Sequence, residues 1–276
     1  MGVVVLKAAA GTLIFFLLYL FLFERFIIRV NHYQIPVPHL PRAFAGFRMV
    51  QLSDLHYGLL QPLLTAKYAV WRANRLKCDV IVCTGDYVLE KNRHKRIDRI
   101  WPVLAQLHAP EGVYSVLGNH DHWADTKRSI EWLNRTGQNI RGQKKAFERA
   151  GEKLWLIGGG DLWEDHMDFD ALLAGVAAQD CRIVLAHNPD SADTEFHERV
   201  DLMVSGHTHG GQFVLPFVGP PSNPVANKAY TSGLKISKTG VRVFISKGIG
   251  WGTFPVRLAC FPEIAVLELF PADIPA

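Results

Sequence analysis

Residues 118–123 read GNHDHW, so Asn119, His120, Asp121 and His122 stand side by side directly after the apolar run VYSVL. An amide oxygen, two imidazoles and a carboxylate in so short a stretch suit a metal site, but they also suit a solvated loop. The rest of the chain supplies the same residue types at four more places. Asp54 and His56 lie in SDLH, Gly85 and Asp86 in TGDY, His187 in AHNPD, and His207 and His209 in SGHTHGG. Each piece is weak by itself, since a single Asp is ordinarily a turn or cap residue. Repeated in order along one chain, they point to one shared site.

Such residues need elements to carry them. Apolar, β-branched runs at 47–53, 79–85, 113–118, 153–159, 181–187 and 201–206 are bounded by turn residues and read as buried strands. Five of the six end in Asp, Asn or His, and Gly recurs at three of those ends. Ligands of α/β sheets bind outside the carboxyl ends of strands, and Gly there lets the backbone turn sharply and approach what is bound. Helical stretches are expected at 62–77, with Pro62 in the first turn, at 126–135 with Thr126 as cap, and at 165–178 and 189–199. VRVFISKG and EIAVLELF add two late strands with no long helix between them, giving an α/β layout with a sheet-rich tail.

The ordered set D-x-H, G-D, G-N-H-D, a later His and G-H-x-H resembles the calcineurin-like metallophosphoesterase superfamily, from about residue 47 onward. SDLHYG, AHNPD and SGHTHGGQ are similar to its YaeI/YkuE-like branch of membrane-associated phosphodiesterases. The resemblance implies a four-layer αββα sandwich of two mixed sheets flanked by helices. It also implies two divalent metals, Mn foremost, with Fe, Zn or Ni as alternatives. One metal would take Asp54, His56, Asp86 and His209. The other would take Asp86, Asn119, His187 and His207, with Asp86 bridging. A metal-bridging hydroxide would attack phosphorus, and His120 would protonate the leaving group. Asp121 would assist catalysis by holding the loop, or serve only as a turn carboxylate.

Two departures refine the placement. Protein Ser/Thr phosphatases carry G-D-x-V-D-R-G, whereas this chain reads GDYVLEK. Leu89 therefore stands where those enzymes keep the Asp that supports the catalytic His, which leaves the orientation of His120 to another group. The usual bacterial UDP-diacylglucosamine pyrophosphatase has Arg at the position of His120. His122 has no role in the family pattern and reads as structural. Trp123 and Trp251 read as core, with the floor of a pocket as the alternative, YGLLQPLLTA (57–66) as the packed start of a helix or a lipid-facing lip beside the site, and GGQFVLPFVGP (210–220) as a turn or a substrate-side loop.

Composition narrows the remaining options. The chain has 276 residues, of which 49% are hydrophobic, and carries a formal net charge of +4. Its basic residues are dispersed except in KNRHKRIDR (91–99), which reads as a solvated helix face, so no nucleic-acid partner is expected. Cys78, Cys83, Cys181 and Cys260 form no CxxC pair and read as reduced, buried thiols. Residues 1–30 read as an uncleaved membrane anchor, with no charge from Ala8 to Phe23. Arg25, Arg29 and Arg42 beyond the span place the catalytic domain in the cytoplasm. The three prolines of 31–44 suggest an extended linker over 31–46, followed by the phosphoesterase domain at 47–276. The expected activity is hydrolysis of a phosphodiester or pyrophosphate, with a substrate that is lipid-linked if the anchor bears on it. The competing readings are a non-catalytic scaffold of the same fold, a UDP-diacylglucosamine pyrophosphatase activity and a nuclease.

Overall fold

The computed structural model describes residues 2–252 and 254–272. Two mixed sheets pack face to face. The first has the order β1 (Arg29–Val37), β11 (Glu263–Pro271), β2 (Phe47–Leu52), β3 (Val80–Cys83) and β4 (Val113–Ser115). The second has the order β5 (Lys144–Arg149), β6 (Glu152–Gly160), β7 (Cys181–Ala186), β8 (Leu202–Ser205), β10 (Arg242–Ile245) and β9 (Gly233–Ile236).

Three apolar layers follow from that stacking. Between the sheets, Phe47, Met49, Val80 and Val82 meet Leu154, Leu156, Ile183 and Val204. On the outer face of the first sheet, Val50, Leu52, Ile81 and Cys83 are covered by helices α2 (Leu63–Ala73), α3 (His94–Leu104) and α4 (Asn119–Thr136). On the outer face of the second, Val184, Met203 and Val243 lie under Phe169 and Leu173 of the short helix α5 (Phe169–Leu173), with Ala192, Val225 and Tyr230. This is the expected four-layer arrangement, with a thin fourth layer. The candidate helix at 165–178 shortens to α5, and the one at 189–199 is only a 3-10 turn at Pro189–Asp193.

Three local readings change. Pro62 sits just before α2, with extended backbone at ψ 150°, rather than inside its first turn. Helix α4 starts at Asn119 and breaks at Asp125, whose φ of −179° and ψ of 100° are not helical. Asp125, not Thr126, then caps the second segment, accepting the Arg128 amide at 3.0 Å. Cys83, Cys181 and Cys260 are buried, while Cys78 is only partly so.

The segment read as a linker is a strand. β1 lies parallel to β11 in register from Arg29↔Glu263 to Val37↔Pro271 and buries Ile35 and Val37. Pro36 is tolerated because β1 is at the sheet edge, where a missing N–H costs no ladder bond. Ahead of it stands helix α1 (Gly2–Leu22), which is long and apolar enough to cross a membrane and leaves its side chains almost entirely exposed. The junction is short: a single 3-10 turn, Glu24–Phe26, buries Glu24 and Arg25. A chain beginning at Asn31 therefore loses part of β1 and the packing of Ile28 and Val30. We expect a chain beginning at Glu24 to fold, one beginning at Asn31 to melt at lower temperature, and one beginning at Pro38 to aggregate. Size-exclusion chromatography with thermal melts checks this order, and equal midpoints for the first two would overturn it.

Candidate metal centre

The polar strand ends meet. Asp54 and His56 follow β2, Asp86 follows β3, Asn119 opens α4, His187 follows β7, and His207 and His209 follow β8. All seven are buried, at most 6% exposed, and Asp86, Asn119, His207 and His209 line one cleft of about 450 Å³, with Asp54, His56 and His187 packed beneath them. Asp54, His56 and His209 form one cluster of metal-ligating atoms and Asp86, His187 and His207 a second; His56 and Asp86, one from each, also come together with His120. Asp86 Oδ2 is central, 3.3 Å from His56 Nε2 and 3.2 Å from His187 Nε2. Asp54 Oδ1 stands 3.9 Å from His56 Nε2 and 3.7 Å from His209 Nε2.

The backbone is bent to bring them there. Asp54, His56, Asp86, His207 and His209 all have positive φ, between 48° and 69°. Residues other than Gly enter this left-handed region at a cost of roughly 1–3 kcal/mol each, and they cluster at functional sites. The cost is met by interlocking bonds: Asp54 N donates to Gly85 O and His56 N to Asp86 O, both at 3.0 Å. Close approach explains two of the glycines. A Cβ on Gly118 would collide with Asp86 Oδ1, and one on Gly206 with Ser53 Oγ and Asp54 Oδ2.

The donors suit cations. Neither ring nitrogen of buried His56 nor the Asn119 Oδ1 has a hydrogen-bond partner, and orphaned buried polar atoms of this kind call for a ligand. His187 Nδ1 donates to the Thr84 carbonyl at 2.6 Å and Nε2 faces Asp86 Oδ2 at 3.2 Å; against burial, Asp86 raises this imidazole well above its usual range, so a cation bound here would take the place of the Nε2 proton. Burial holds His56 and His209 well below the usual imidazole range. Burial, with His187 alongside, brings His207 down to about 3. These rings are therefore neutral at pH 7 and ready to donate electron pairs. Burial pushes Asp54 up to about 6, against the pull of His187 and helped by the charge on Asp86. For Asp86, burial is outweighed by His187 and His120, which hold its carboxyl well below the usual range. Oxygen and imidazole donors without thiolate fit a dinuclear divalent site.

His120 stands at the mouth, edge-on to His56 with ring centres 4.7 Å apart and against Trp123 at the same distance. Its Nδ1 lies 2.7 Å from the carbonyl oxygen of Leu89. The residue at the position of the missing Asp thus orients the imidazole through its backbone.

Asp121 does not face the cleft. Its carboxylate accepts from the amides of Asp86 at 2.7 Å, Gly118 at 3.0 Å and Tyr87 at 2.8 Å. It touches no reacting group and belongs among the positioning residues, which corrects its place beside His120. Burial and the neighbouring Asp86 push its pKa up to about 7 despite those amides. We expect Asp121→Ala to leave these amides buried without an acceptor, at roughly 1–3 kcal/mol for each. The melting temperature and the bound metal should fall together, and an unchanged melt would remove Asp121 from this role.

Other contributors gave no sequence signal. Arg257 is fully buried and donates to the carbonyls of His209, Gly250, Lys247 and Cys260, tying three site loops together. Trp163 packs edge-on against His207 with ring centres 4.8 Å apart. Trp123, read as core, lines the cleft, as do Gly211, Gln212 and Phe213 of the 210–220 segment, while Trp251 is buried. His122 Nε2 lies 3.1 Å from Asp165 Oδ1.

Residues 47–211, the stretch that carries nearly all of this site, match the calcineurin-like phosphoesterase family. The chain belongs to that family. As a calcineurin-like phosphoesterase it resembles the uncharacterized metallophosphoesterase YkuE of Bacillus subtilis, with 32% identity across 89% of this chain and 87% of that protein. It also resembles phosphodiesterase YaeI of Escherichia coli, with 34% identity across 82% of this chain and 83% of that protein. With the UDP-2,3-diacylglucosamine pyrophosphatase LpxG of Chlamydia trachomatis it shares 26% identity across 83% and 86% of the two chains. Family and relatives make the protein a metal-dependent phosphoesterase, and its Asp/His clusters suit a dinuclear centre.

Proposed function

We propose that the protein hydrolyses a phosphodiester or pyrophosphate at a membrane surface, with a lipid-linked substrate. The observation that carries the hydrolytic part is the central place of Asp86 Oδ2 between two clusters, with His120 above them at the mouth of the cleft. In this reading Asp54, His56, Asp86 and His209 hold one divalent cation, and Asp86, Asn119, His187 and His207 hold the other. Two such ions, Mn foremost, would neutralise phosphoryl charge and lower the pKa of an attacking water. The chain's own groups do the rest. His120 keeps one proton on Nδ1 against Leu89 O and presents Nε2 to the leaving oxygen, to which it gives a proton. Asp121 holds the loop that sets Asp86, and Arg257 holds the one that sets His209.

The diester and pyrophosphate preference draws on the names of YaeI and LpxG, and the lipid link on LpxG and on α1. In this reading α1 crosses the membrane once and the arginines beyond it keep the domain on the cytoplasmic side. Purified full-length protein supplied with Mn tests the activity against a panel of mono- and diesters and pyrophosphates. Turnover of diesters or pyrophosphates, lost on chelation, is the expected result. Two bound metals without turnover of any substrate would favour a binding scaffold.

A further inference from the structure

The mouth of the cleft and the exit of α1 lie at the same end of the sheets. Just beyond α1, Glu24 Oε1 accepts the Cys260 amide at 3.1 Å, and the Cys260 thiol donates to the His209 carbonyl at 3.2 Å. One 3-10 turn joins α1 to β1, and β1 is fixed in the sheet, so no free linker can hold this end away from the surface α1 enters.

Around that mouth, the loops beyond the strand ends turn large apolar side chains to solvent. They are Leu59 after His56, Trp163 after β6, Leu215, Phe217 and Val218 after β8, and Phe254 after β10. Leu215 pairs with Gly219 to close a tip that springs from Phe213 and Ser222, both in the wall of the cleft. Leu59 is 79% exposed, Val218 74%, and Phe217 fully. The expected packing of 57–66 into a helix start fails at Leu59 and Leu60 for this reason. Single exposed apolar residues are ordinary, but several of them on loops beside a polar site, with Trp163 and Phe254 in its wall, mark an interaction surface. Next to Leu59 runs a wall of Arg93, Lys95, Arg96 and Arg99 in which Glu90, paired with Arg96 at 3.6 Å, offsets one charge and leaves a basic excess. Apolar tips beside clustered Lys and Arg complement anionic headgroups lying over acyl chains.

We propose that this rim docks on an anionic bilayer, with Phe217, Val218 and Leu59 at headgroup depth and the cleft mouth turned to the lipid. The inference rests on α1 being a membrane anchor. The rim then serves as the part of the same site that receives a lipid-borne phosphoester without drawing it far out of the membrane.

The test uses the full chain with Cys78→Ser, reconstituted in vesicles of phosphatidylcholine and phosphatidylglycerol. A nitroxide is attached at Phe217→Cys or, as a control at the far end of the sheets, at Lys153→Cys. Vesicle flotation reports the anchor, and spin-label accessibility reports the face. The expected result is flotation of both chains, with the label at position 217 losing most of its accessibility to a water-soluble nickel chelate while gaining accessibility to oxygen. The label at position 153 should remain open to the chelate. Flotation with equal chelate access at both positions overturns the docking proposal and leaves the anchor standing. Failure to float removes the anchor reading and the docking proposal with it.

Discussion

Asp86→Asn is expected to reduce turnover on the order of 10³-fold or more, equivalent to about 4 kcal/mol of transition-state stabilisation. The substitution changes almost no volume. It removes the negative charge from a carboxylate whose Oδ2 lies within 3.3 Å of both His56 Nε2 and His187 Nε2. A neutral amide there leaves two cations sharing a less compensated site, so metal content should fall with the rate. Elemental analysis of the purified variant beside its steady-state kinetics measures both. Two metals per chain at the parent's rate would end the shared-ligand reading of Asp86. The apo fold should survive, because Asp121 holds this loop through backbone amides that Asn leaves in place.

His120→Ala should separate what Asp86→Asn joins. Metals should stay, because His120 makes its short contact with Leu89 O and not with the paired clusters' central oxygen, while the rate falls by about 10²–10⁴-fold. The loss should shrink for esters with acidic leaving groups, such as nitrophenyl esters, which need little protonation. Equal losses across leaving groups would reduce His120 to a positioning residue. Because the Nδ1 partner is a backbone carbonyl, Leu89→Ala should retain most of the rate, which distinguishes this arrangement from one built on a carboxylate side chain.

Much of the centre was legible because chemistry restricts residue type. Few positions other than a metal site repeat Asp, Asn and His at successive strand ends, and the apolar runs before them read as strands by composition alone. What stayed hidden depended on long-range pairing. β1 contains Pro36 and is followed by Pro38, and only β11 makes it a strand. β5, KKAFER, is an edge strand whose charges discourage pairing with other chains and also mask its β character. The start of α4 was hidden because Asn119 and His120 read as the end of a strand, whereas Gly118 and Asp121 cap a helix there. The left-handed backbone of five site residues leaves no trace in the sequence, since Asp and His are common in many conformations. The carbonyl of Leu89 was invisible for a simpler reason: every residue has one.

The order of the first sheet also governs how the molecule is assembled. β11 lies between β1 and β2, parallel to one and antiparallel to the other. During synthesis β1 and β2 emerge early, yet neither can close this sheet until the ribosome has delivered residues 263–271. Contacts between distant parts of a chain slow folding, so β1 waits as an unpaired, partly apolar ribbon beside the exit of α1. A nascent chain stopped short of β11 therefore lacks the strand that joins β1 to β2, and the first sheet, which carries Asp54 and Asp86 beyond its strand ends, is complete only once residues 263–271 have been made.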